Sequence, residues 1–292
     1  MRSEQPNSPS AERGTEIEAL VERATGGDRG SLEAIVRAVQ GDVHNLAVRM
    51  LGCPEDAADA TQEILMKVVT RLATFRRQSA FRTWVYRVAT NHLLNVRKSR
   101  VERDELTFSA FASELATGLA DPPASAASEP DRALLAEEVK IGCTQGMLLC
   151  LDRDHRVAYV LGEVFELSSD DASAALDIPA ATYRKRLSRA REKLRAFMRG
   201  HCGIVNPDRP CRCERRITHA IAVGRLRPAE LSLAGRPSLG RAMPNVAREV
   251  GEMQDLQQIA GIYQSHPDYA APERVLAGIR QILDGGHYAL LQ

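Results

Sequence analysis

Apolar residues recur along this chain at three- and four-residue spacings, and no other feature limits its possible folds as sharply. Ile35, Val39, Val43 and Leu46 form one stripe; Ile64, Leu65, Val68, Val69 and Leu72 form a second. That period gathers side chains on one face of an α-helix, whereas a half-buried strand alternates every second residue. Between the stripes, Gly52-Cys53-Pro54 breaks the pattern where a helix-joining turn belongs. Aromatics make up only 4% of the 292 residues, which argues further for helix packing over sheet sandwiches. The expected fold is all-α.

Residues 1–16 are polar and expected to be disordered. Residues 17–103 read as a first helical domain. The run Leu115 to Pro130 (LATGLADPPASAASEP) is rich in Ala, Ser and Pro without an apolar period, so 104–133 reads as a linker. As a flexible coil it would span roughly 30 Å, enough to let two domains sit on separate sites. Residues 134–200 read as a second helical domain. Residues 201–292 form a cysteine-containing C-terminal extension with helical stretches at Val246–Tyr263 and Glu273–Leu283. No eighteen-residue apolar run and no apolar leader occur, so neither membrane insertion nor a signal peptide is expected. The expected compartment is the cytoplasm, where the six cysteines stay reduced.

The net charge of +1 conceals two basic concentrations. Residues 71–100 carry eight Arg or Lys and no acid; residues 181–200 carry eight against Glu192 alone, leaving the rest of the chain acidic. Such patches are either solvated helix faces or nucleic-acid footprints.

The second patch lies in LSSDDASAALDIPAATYRKRLSRAR, Leu167 to Arg191. Ser168 or Ser169 suits an N-cap, with acids in the first turn of a short helix ending at Leu176. Asp177 tolerates the left-handed turn, and Pro179 is preset for the next helix. That helix turns Leu187 and Leu194 inward. It presents Thr182, Tyr183, Arg184, Lys185, Arg186, Arg189 and Arg191 as candidate DNA contacts, the layout of a helix-turn-helix.

The first patch is interleaved with four of the chain's thirteen aromatics: Phe75, Phe81, Trp84 and Tyr86. Cations and stacking faces together suit unpaired bases. The candidate contacts are Arg76, Arg77, Gln78, Ser79, Arg82, Trp84, Arg87, Asn91, Arg97 and Lys98, with a helix expected to start at Ser79. Phe81, Val85 and Val88 are spaced as a core stripe, and Trp84 suits either packing or stacking. Upstream, Asp59, Gln62 and Glu63 share one face of an amphipathic helix, either solvated or a docking surface for a partner.

In this order, the features resemble the sigma-70 family of RNA polymerase sigma factors, in its small extracytoplasmic-function branch. The resemblance covers about Ser31 to Ser99 and Leu151 to Met198. PEDAADATQEILMKVVTRLATF looks like the sigma-2 segment that docks on polymerase, which implies that role for Asp59, Gln62 and Glu63. SAFRTWVYRVATNHLLNVRKSR looks like the segment that melts and reads the minus-ten element, and LDRDHRVAYVLGEVFELSSDDASAALDIPAATYRKRLSRAREKLRAFM like the sigma-4 domain that reads the minus-thirty-five element. The implied partners are core RNA polymerase, through its beta-prime and beta subunits, and promoter DNA, with an anti-sigma factor as a further partner that the resemblance admits. The chain departs from the family at Asp152, where Pro is usual, at Asp177, where Gly is usual, and at Ala172, where a larger aliphatic is usual. No P-loop, nucleophile elbow or paired carboxylates in a cleft context occur, so no enzymatic activity and no cofactor are expected.

Past Met198 the chain continues where minimal members of the branch end. His201, Cys202, Cys211, Cys213 and His219 fall within nineteen residues. They admit two readings: ligands for Zn²⁺ or redox-sensitive thiols, or a structural cap on the extension. The rest reads as a helical regulatory appendage. Two other functions compete: a duplex-binding helix-turn-helix regulator that needs no polymerase, and an adaptor whose basic patches are solvated.

Overall fold

The computed structural model describes residues 9–97, 106–120, 129–231, 233 and 252–284, and these contain helices and no strand. Four helices build the first module: α1 (Pro9–Thr25), α2 (Arg29–Leu51), α3 (Pro54–Thr70) and α4 (Phe81–Asn95). Asp28 caps α2, its carboxylate accepting from the N–H groups of Gly30 and Ser31. Gly52 ends α2 at φ +68°, packed so closely on Leu149 that a Cβ would lie 2.5 Å from its Cδ1. Pro54 then opens α3. Both expected stripes are buried, Ile35, Val39, Val43, Leu46, Ile64, Leu65 and Val68 completely.

Two boundaries differ from the sequence expectation. A helix occupies the second half of the stretch 1–16, because Ile17, Val21 and Ala24 bury against the bundle and carry the helix back to Pro9; residues 1–8 lie outside the described residues. Within 104–133, α5 (Phe108–Thr117) forms behind a Thr107 cap, with Phe111 and Leu115 buried. Its apolar residues Phe108, Phe111, Ala112 and Leu115 keep a helical period, which ends where the Ala, Ser and Pro composition begins.

The second module comprises α6 (Glu129–Leu149), α7 (Arg153–Tyr159) with a π-helical turn at Val160–Val164, α8 (Ser169–Leu176) and α9 (Ala180–His201). Asp152 accepts from the His155 N–H as the N-cap of α7, a role a proline there could not fill. The extension adds α10 (Cys213–Ala222), α11 (Glu252–Gln264) and α12 (Glu273–Asp284). No helix among the described residues is long and apolar enough to cross a membrane.

The modules share one core. At the last turn of α2 the Gly52 N–H closes on Val48 O, and side chains of the second module donate to the carbonyls there. Gln145 Nε2 donates to Val48 O (2.9 Å) and Arg49 O (3.0 Å). The buried Arg156 guanidinium donates to Met50 O and to Leu148 O, Leu149 O and Leu151 O at the end of α6. On another side, α4 meets α8: Arg87 Nε donates to Ala174 O (2.8 Å) and Thr90 Oγ1 to Ala175 O (2.9 Å).

Candidate nucleic-acid interface

The helix-turn-helix forms as its residues dictate. Ser168 Oγ accepts from the Asp171 N–H, and Asp177 closes α8 in the left-handed conformation at φ +54°. Ala172 is fully buried. Pro179 opens α9, while Leu187 and Leu194 turn inward. Arg184, Lys185 and Arg189 are exposed on α9. Thr182 is half-buried at its start. Arg186 lies 2.9 Å from Asp154, and Arg191 Nε donates to Glu163 Oε1 at 2.9 Å, so these two are tied to α7 and the turn after it. Tyr183 corrects the expectation: it is 1% exposed and directs its hydroxyl at Ala158 O, because a ring one position before the charged run falls on the inward stripe with Leu187. It packs the helix and faces away from solvent.

In the first basic segment, α4 starts at Phe81 behind Ala80, two residues later than expected, so Ala80 and not Ser79 stands at the N-cap. Phe75, Phe81 and Trp84 form one ring cluster, Phe81 and Trp84 stacked at 5.6 Å and Trp84 half-buried. Phe81, Val85 and Val88 are buried as the spacing predicted. The loop before α4 exposes Arg76, Arg77 and Gln78, with Arg77 at φ +54° and 3.5 Å from Glu22. Arg82 pairs with Asp42 at 2.8 Å, and Arg87 is spent on the α8 carbonyl. Asn91 and Arg97 are exposed; Lys98 lies outside the described residues.

On α3, Asp59 and Glu63 are exposed and Gln62 is half-buried. The three do not share one environment: Asp59 lies 3.9 Å from Arg274 of α12, while Glu63 lies 3.8 Å from His92 of α4. Burial and the neighbouring Lys67 lower the His92 pKa.

Two family models match the chain: sigma-70 region 2 over residues 35–103 and sigma-70 region 4 over residues 141–194. The RNA polymerase sigma-H factor of Pseudomonas aeruginosa is 33% identical over 176 residues, 60% of this chain and 90% of that protein. The chain belongs to the sigma-70 family. The extracytoplasmic-function sigma-E factors of Haemophilus influenzae and Escherichia coli are each 31% identical, over 61% of this chain and 92% and 91% of theirs. Among solved structures, the sigma factor RpoE in complex with the anti-sigma factor NepR from Bartonella quintana covers 56% of this chain and 94% of its own, at 20% identity and a TM-score of 0.38.

Both patterned segments of this sigma-70 member fall within the matched regions, whereas the extension from 201 onward falls outside them. In the extension, the two histidines that one reading of the sequence offered as Zn²⁺ ligands have other neighbours. His201 packs on the Phe197 ring at 4.8 Å, and His219 lies 3.3 Å from Glu114. Among the described residues, no three His, Cys, Asp or Glu side chains are placed to hold a metal ion. The cysteines instead join Cys143 of α6, which the sequence reading missed because it lies sixty residues upstream. Burial, and then proximity to Cys213, Cys202 and Cys211, raise the Cys143 thiol. Burial pushes Cys213 up to about 12. Such thiols stay protonated at neutral pH and pack as small apolar groups.

Proposed function

We propose that this chain binds core RNA polymerase and directs promoter-specific transcription initiation, with α8 and α9 reading the duplex minus-thirty-five element and the segment from Phe75 to Lys98 opening the minus-ten element. Residues 17–103 act as the docking and melting domain, 134–200 as the upstream reader and 201–292 as an added extension. The observation that carries the reading is α9 behind its Asp177 turn, with Arg184, Lys185 and Arg189 free at the surface. A base-reading Arg discriminates among bases at one position, whereas a phosphate-binding Lys acts on every sequence alike. Asp59, Gln62 and Glu63 dock on polymerase, and no chemical step belongs to this chain; RNA synthesis belongs to its partner.

The experiment is reconstitution. The purified chain added to core RNA polymerase should co-purify with it and direct run-off transcription from a subset of genomic fragments. A chain that binds duplex DNA but neither co-purifies nor directs transcripts is a regulator independent of polymerase, and the reading fails.

A further inference from the structure

Helix α12 of the C-terminal extension lies on the surface assigned to polymerase. We propose that α12 and core RNA polymerase compete for the same face of α3, so that the chain is held out of the polymerase until α12 is displaced. The inference rests on the docking role of Asp59, Gln62 and Glu63.

The seat of α12 is built from three kinds of contact. Val275 and Ile279, one turn apart, are 1% and 2% exposed and belong to the common core. Gly278 lies between them, and a Cβ at that position would come within 2.6 Å of Gln62 Nε2, so glycine lets the helix approach α3 closely. Arg274 reaches Asp59 at 3.9 Å, and Arg280 Nε donates to Glu33 Oε1 on α2 at 2.7 Å. Basic residues of α12 thus oppose the acids of the docking side, and the neighbouring arginines hold Glu33 below the usual carboxylate range. Glu63 is the member of the face that α12 does not engage by an ion pair; it lies near His92.

The seat is also tethered. Ahead of it, α11 is fixed to the second module by Arg199 to Asp255 (2.8 Å) and Tyr263 OH to Thr144 O (3.2 Å), and to the segment just after α9 by Gln258 Nε2 to Ile204 O (3.0 Å). The connecting segment then crosses to the first module, where the Tyr269 N–H donates to Asn45 Oδ1 at 2.9 Å. A helix tethered this way faces α3 at high effective concentration, so weak contacts suffice to occupy it. Arg274 and Arg280 are half exposed, at 60% and 50%, as suits a contact that must be reversible. A partner can engage the exposed Glu63 first and displace α12 from Asp59 and Gln62 afterward.

The test compares the full chain with the Arg274→Glu, Arg280→Glu double variant and with a chain ending at Pro272. Binding of each to core RNA polymerase is followed by fluorescence anisotropy. Both alterations act at exposed residues or after the last contact of α11, and circular dichroism checks that each form folds. Because apparent affinity scales with the competent fraction, an open population on the order of a tenth predicts about tenfold tighter binding for both altered forms. Glu63→Arg, introduced into the full chain and the double variant, should weaken binding in each. Equal affinities for full chain and altered forms overturn the competition while leaving the docking face intact. If Glu63→Arg changes nothing in either background, the docking face lies elsewhere and the inference falls with it.

Discussion

The stretch 181–200 on the recognition helix and the aromatic stretch 71–100 each carry eight Arg or Lys, yet their cations are held differently. On α9, Arg184, Lys185 and Arg189 are exposed. In the aromatic segment, Arg77 faces Glu22, Arg82 meets Asp42 and Arg87 donates to α8. Basic composition locates a nucleic-acid surface; the acids and carbonyls on neighbouring elements decide whether it is available. On the reading proposed above, α9 can meet duplex DNA in the folded chain, whereas Arg87 of the aromatic segment is withheld for as long as α4 contacts α8.

The strongest way to break this contrast is at α9. Arg184→Ala or Arg189→Ala should cost about 1–3 kcal/mol in promoter binding where the side chain reads a base, with relaxed preference at one position. Unchanged affinity in both, measured by mobility shift, would show that the exposed arginines are solvated only.

Acidification acts on the extension that joins the two regions. His266 accepts or donates only to Thr144 Oγ1 (2.9 Å), and burial, then the charges of Arg49 and Lys140, push its pKa from 6.5 down to about 3. Between those values the unfolded chain takes a proton that the folded chain refuses. The stability is therefore complete above pH 6.5 and lost as the pH falls, by about 2 kcal/mol from pH 7 to pH 5. Urea midpoints at the two pH values report the loss, and His266→Gln should remove that share of it.

Arg87→Ala removes one charge-assisted bond across the α4 and α8 contact, worth about 1.5 kcal/mol. Loss of stability on that order, together with stronger binding of single-stranded DNA, would confirm that the segment is withheld by its own second module; weaker single-strand binding without a stability change would assign Arg87 to DNA directly.

The smallest effect on the fold belongs to Arg77→Ala with Gln78→Ala. Both are exposed, and the Arg77 ion pair at 3.5 Å stabilises by less than about 0.5 kcal/mol. Promoter opening, read by permanganate at thymines, should nevertheless decline and recover on a premelted template. Normal opening in this variant removes the loop from the melting step.

The helices were legible in the sequence because their signals are local. Gly52, Pro54, Ser168, Asp177 and Pro179 act within a few residues of the ends they set. Even the substitution of Asp for Gly at the turn was readable, since Asp tolerates the left-handed region. What escaped depends on distant partners. Nothing near Arg87 tells that Ala174 will stand opposite, nothing near Cys202 points to Cys143, and nothing in α3 announces α12 across two hundred residues. The inward turn of Tyr183 was closer to hand, because it stands four residues before Leu187 on the same stripe.

The caps at the end of α2 set a limit on how this molecule can come apart. Gln145 and Arg156 donate to Val48 O, Arg49 O and Met50 O from the other module; Val48 O also accepts from the Gly52 N–H, so a rigid-body separation leaves Arg49 O and Met50 O to water. Separation and fraying of the last turn of α2 are one event. The same turn leads through Gly52 into α3, so whatever loosens the module contact also loosens the start of α3.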